Sequence, residues 1–144
     1  MDTKRSLTGA LVGAIVLYVT GYLIFDLAFG NFYRTYVGSA TGVDRGGQLV
    51  WAMSLANLAY AALITFAIGN RVNALSIGAG ATIGAIVGFL LWCTADFVVY
   101  STTNVANLTR TVVDPLLEVV HGGIGGAAIA AVLGSMAGPG HKPA

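Results

Sequence analysis

The chain has 144 residues, of which 56% are apolar and only 9% charged, with a net charge of +1 and a mean hydropathy of +0.80. A soluble domain of this size exposes much surface relative to its core and carries about a quarter of its residues as charge. Here 7 Lys and Arg and 6 Asp and Glu are too few, which excludes a soluble enzyme, while near-neutrality offers no basic field for nucleic acid. The composition is that of an integral membrane protein whose first partner is the lipid bilayer.

In chain order, Lys4 and Arg5 precede an apolar run from Leu7 to Phe29. That run is longer than the apolar core of about 7–15 residues in a signal peptide, so it predicts a retained first helix. A bilayer core takes about 20 apolar residues per helix. The stretches 7–29, 48–68, 74–99 and 112–136 meet that length, joined by 30–47, 69–73 and 100–111. The expected architecture is an all-α four-helix membrane bundle forming a single domain over 1–144, with a disordered tail over 137–144. An even number of spans puts both termini on one side. That side carries Lys4, Arg5, Arg71 and Lys142 against Arg34, Arg45 and Arg110 on the other, so the positive-inside rule predicts cytoplasmic termini.

Gly9–Val16 (GALVGAIV) and Gly80–Val87 (GATIGAIV) are identical at six of eight positions, and Asp26 and Asp96 follow them at similar distances. This pattern suggests two helix hairpins related by duplication. Glycines four apart (Gly80, Gly84 and Gly88; Gly9 and Gly13; Gly122 and Gly126) form flat stripes. In lipid, helices associate through close backbone approach, which such stripes permit. They serve packing within the bundle, or a seam to a second copy or a membrane-protein partner, most readily on GGIGGAAIAA of the last span. Cys93, the single cysteine, has no intrachain disulfide partner and reads as a small buried hydrophobe.

Four of the six acids (Asp26, Asp96, Asp114 and Glu118) fall inside spans or at their mouths, with His121 and Asn57 deeper. An ionised side chain at mid-bilayer costs about 2.5–3.5 kcal/mol on insertion scales, so their presence calls for a use. All lie toward the membrane face opposite the termini, predicting a one-sided polar vestibule above an apolar Gly/Ala/Ile/Leu/Val half. Asp114, Glu118 and His121 have helical spacing i, i+4, i+7 and share a face within about 60°.

Three readings of that face compete. In the first, Glu118 and His121 form a proton-responsive binding or relay pair. In the second, a single metal ion uses His121, Glu118 and Asp26 or Asp96; a di-iron centre fails on ligand count. In the third, Asp114 caps a helix opened by Pro115, and Glu118 and His121 pair with each other or with Arg110. Asp26 has Arg34 as an alternative partner, Asp96 a cross-bundle hydrogen bond, and Asn57 a role as interhelical glue. Trp51, Trp92, Tyr33, Tyr36 and Tyr100 suit an aromatic belt.

The segment from Tyr100 to Asp114 (YSTTNVANLTRTVVD) resembles a family of uncharacterised small bacterial membrane proteins. That family carries a motif similar to Tyr-Asp-Leu-Thr-Asn-Leu-Ala-Thr-Leu before its last helix. Tyr100, Thr103, Asn104, Ala106, Leu108 and Asp114 match, as do Asp26-Leu27 and Phe32-Tyr33-Arg34; Ser101 stands where the family has aspartate. The resemblance implies four spans in a bacterial inner membrane and brings no activity or cofactor with it.

The expectation is therefore a protein that binds or passes a small polar or protonatable solute. Its pocket would be formed by Asp26, Asn57, Asp96, Asn104, Glu118 and His121, with no metal assigned. The alternatives are an accessory or oligomer-forming subunit acting through its glycine faces, and an enzyme on a lipid-like substrate with His121 as base.

Overall fold

The computed structural model describes residues 3–69 and 76–136. Four long apolar helices pack together as an all-α bundle. The first span, Thr3–Ala28, is α1 (Thr3–Gly21) running directly into a π-helical segment, Tyr22–Ala28. A short α2 (Gly30–Thr35) precedes α3 (Val50–Gly69), α4 (Ile77–Thr102) and α5 (Leu108–Ser135). At 1.5 Å per residue the 20 residues of α3 span about 30 Å, the thickness of a bilayer core. The expected tail, most of the second connection, Arg71 and Lys142 fall outside the described residues.

Side chains on the outside of the bundle are apolar. Ile15, Phe66, Leu90 and Val120 are all more than half exposed, the reverse of a soluble protein and the signature of a lipid-facing surface. Inside, Leu17, Ile64, Ile68, Ile129 and Leu133 are fully covered and form the core with Ala61 and Ala130.

The tightest pairing is α4 on α5. A side-chain carbon on Gly80 would lie 2.5 Å from the Gly126 carbonyl oxygen, and one on Gly84 would meet the Gly122 carbonyl. Only glycine allows these backbones to touch. Gly9 and Gly13 bring α1 against Leu133 and Ile129 of α5, and against Thr65 and Ala61 of α3. Both glycine blocks therefore pack on α5 at the same end of the bundle. Gly122, Gly125 and Gly126 are buried there, so the glycine stripe of the last helix is spent within the chain. Helices α3 and α4 barely touch, which leaves the bundle closed at the glycine end and parted along one side at the other.

The start of α5 differs from expectation. Asn107 caps it by accepting a hydrogen bond from the Arg110 amide at 3.0 Å, so the helix begins at Leu108 and Asp114 and Pro115 lie within it. Asp114 is not the cap. Pro115 brings no amide hydrogen, so the Thr111 carbonyl loses its usual helical donor. The connection 103–107 is pinned to the loop after α2: Gly38 donates to the Val105 carbonyl at 2.9 Å and Ala40 to that of Asn104 at 3.0 Å.

Candidate functional site

At the parted end, the four spans and the chain around α2 enclose a cavity of about 710 Å³, within the roughly 300–1,000 Å³ range of small-molecule sites. Its walls are mostly apolar and aromatic, and its polar groups converge on α5. Here Glu118 and His121 are 2% and 4% exposed. The His121 Nδ1 lies 2.9 Å from Glu118 Oε2, and its Nε2 lies 2.9 Å from the Leu17 carbonyl oxygen of α1.

These contacts constrain where the protons sit. A carbonyl oxygen only accepts, so Nε2 carries a hydrogen. One further proton sits between Nδ1 and Oε2: imidazolium faces carboxylate, or neutral imidazole accepts from a carboxylic acid. The pair is neutral overall in both forms, as a buried ionisable pair must be to avoid the cost of an isolated charge.

Neighbouring elements hold this arrangement in place. The Tyr60 hydroxyl of α3 donates to Glu118 Oε2 at 3.2 Å. It reaches there across Gly88 and Gly122, where added side-chain carbons would strike the hydroxyl. The imidazole stands edge-on to Phe25, with centroids 5.3 Å apart, and to Tyr60 at 5.9 Å. Gly21 clears the space beside it, since a side-chain carbon there would lie 3.3 Å from Nε2. The π-helical segment that follows turns Phe25 toward the ring; such segments recur at functional sites.

Nearer the mouth, the Tyr33 hydroxyl donates to Asp114 Oδ1, while the Arg110 guanidinium lies over the Tyr33 ring at 5.1 Å. Burial, reinforced by the bond to Asp114, holds the Tyr33 hydroxyl well above the ordinary tyrosine range. Tyr33 is thus part of the mouth and more than a belt residue. Trp92 likewise lines the cavity, whereas Trp51 is 70% exposed and Tyr36 and Tyr100 are also exposed.

Of the residues expected in a pocket, Asp26, Asn57, Glu118 and His121 line the cavity together. The Asn57 amide nitrogen donates to the Met53 carbonyl of its own helix at 3.0 Å. Asp96 stands beside the cavity with its carboxyl facing that of Asp114. Asn104 lies outside, exposed in the connection with its backbone carbonyl serving Ala40. Arg34 bonds Asn31 at 2.7 Å, and Glu118 pairs with His121. Among the described residues no three of His, Cys, Asp and Glu are grouped to hold a metal ion, so the single-ion reading loses its ligand set.

Tyr60, Tyr33 and the Leu17 carbonyl were not among the expected site groups. Tyr60 did leave a signal: a tyrosine ten residues into its helix lies away from the interface where aromatic belts sit. A main-chain carbonyl leaves none.

No family model matches the chain, and no curated protein and no solved structure matches it either.

Proposed function

We propose that the protein is a non-enzymatic membrane protein that binds a small protonatable or amphiphilic solute in this cavity, with Glu118 and His121 as its proton-responsive pair. The observation that carries the reading is the Glu118–His121–Tyr60 set buried at the inner end of a largely apolar and aromatic cavity. Ionisable groups inside a membrane are expensive and mark solute or proton sites.

Binding is favoured over passage because the polar set ends at His121. Beyond it the α4 and α5 backbones touch through Gly80, Gly84, Gly122 and Gly126, and among the described residues no comparable polar row lines a cavity there. The enzyme reading is weakened by the imidazole itself, whose two nitrogens are both engaged within the chain. A general base needs a nitrogen within reach of a substrate proton. The accessory-subunit reading loses the α5 glycine stripe as its docking face, since that stripe is buried. A homo-oligomer or membrane-protein partner would have to meet the lipid-facing surface. The Tyr100–Asp114 resemblance and the distribution of Lys and Arg support a bacterial inner membrane location with cytoplasmic termini.

Native mass spectra of wild type, Glu118→Gln and Ala59→Trp, released from mild detergent, test the binding reading. The expected result is a bound small molecule on the wild type that is lost when Trp fills the cavity and diminished when Glu118 is neutralised. An adduct that persists unchanged in both variants contradicts it.

A further inference from the structure

The cavity walls are lopsided in charge. Asp26, Asp114 and Glu118 line them with His121, and among the described residues neither Lys nor Arg does. His121 and Glu118 share their proton and cancel as a pair. Asp26, which is exposed, and Asp114, which is buried and faces the Asp96 carboxyl, remain as the acidic wall, and a facing charge is felt more strongly in such a cavity than in bulk water. Arg110 lies behind the Tyr33 ring and is not a lining residue.

The walls are also aromatic: Tyr18, Tyr22, Phe25, Tyr33, Tyr60 and Trp92 all face the cavity. Ring faces attract cations, most strongly where water is excluded. Acidic and aromatic walls with no basic residue among the described lining complement a cation and repel an anion.

The route in follows from the packing. Helices α3 and α4 barely touch, yet both line the cavity, α3 through Ala56, Asn57 and Ala59 and α4 through Leu91 and Ala95. The gap between them is edged in part by alanines, Ala56, Ala59 and Ala95, and lies within the two spans. It therefore faces the acyl layer of the bilayer.

We infer that the cavity binds lipophilic monocations, amines or quaternary ammonium and phosphonium ions with apolar bodies, which enter sideways from the bilayer between α3 and α4. The apolar body occupies the α3–α4 side, and the charge rests among the aromatic rings between Asp26 and Asp114. This deepens the binding reading above and rests on it.

Trp51 and Trp92 are the two tryptophans, so Trp51→Phe leaves Trp92 in the cavity wall as the sole reporter. Its emission is titrated in detergent with tetraphenylphosphonium, with tetraphenylborate of nearly the same shape and opposite charge, and with neutral tetraphenylsilane. The cation is expected to bind about tenfold or more tightly than the anion, and Asp26→Asn to weaken it about threefold, the scale expected of single charges in such sites. Ala56→Trp in the full-length protein, read by equilibrium dialysis, closes the gap and abolishes cation binding. Ala62→Trp on α3, away from the cavity lining, leaves it intact.

Equal or tighter binding of tetraphenylborate or tetraphenylsilane overturns the inference while leaving a binding cavity. Failure of all three probes overturns the inference and the binding reading together. Unchanged cation binding in Ala56→Trp overturns the lateral route.

Discussion

His121→Ala and Glu118→Gln remove the same ion pair in different ways. Alanine at position 121 leaves Glu118, 2% exposed, with only the Tyr60 hydroxyl for a partner and no shared proton. Breaking one side of a buried pair costs about 3–5 kcal/mol. Glutamine at position 118 can place its amide nitrogen where Oε2 stands, donating one hydrogen to His121 Nδ1 and the other to the Tyr60 hydroxyl oxygen, so its cost is that of a neutral hydrogen bond, about 1 kcal/mol. Thermal unfolding in detergent is therefore expected to show a clearly lower midpoint for His121→Ala than for Glu118→Gln. Equal losses would contradict the shared-proton geometry. At this scale the sequence was informative about depth. Residue spacing placed Glu118 and His121 on one face of one helix. It could not supply the Leu17 carbonyl, because every residue carries one and only the packing of α1 on α5 selects which is used.

Glycine sets how closely whole helices approach. Gly84→Ala would drive a methyl group into the Gly122 carbonyl, whereas a methyl at Gly78 meets nothing. Forcing an extra carbon into a closed contact costs about 1–3 kcal/mol when the backbone must move. Gly84→Ala is accordingly expected to lower the unfolding midpoint and Gly78→Ala to leave it unchanged or raise it slightly. Matching behaviour of the two would mean that the α4–α5 contact does not hold the bundle. The glycine period of four was visible in the sequence, as were the four spans, because both follow from local composition. The start of α5 was misread for a local reason too. Asp114-Pro115 has the form of a cap followed by a first-turn proline, but Asn107 caps the helix about two turns earlier, and a half-buried partner, Tyr33, takes Asp114 instead. The π-helical segment, Tyr22–Ala28, left no mark in the pattern of apolar residues.

The whole molecule divides into a closed half and an open half. Backbone contacts at Gly80, Gly84, Gly122 and Gly126 seal one; weak contact between α3 and α4 opens the other into a cavity of about 710 Å³. This asymmetry was legible from which ends of the spans carry acids. Membership of the cavity was less so: Asp26 and Asn57 line it, Asp96 stands beside it and Asn104 lies outside. Depth along the membrane follows from counting residues, but direction around the bundle depends on how helices pack. In a Cys93→Ser background, single cysteines at Ala59 in the cavity wall and at Ala67 against the core of the closed half can be labelled in intact cells and in inverted vesicles. The reagent is a membrane-impermeant methanethiosulfonate. The cysteine at position 59 is expected to react from one face of the membrane only, and the one at position 67 from neither. Reaction at position 59 from both faces, or equal reaction at position 67, would contradict a solute cavity confined to one half of the bundle.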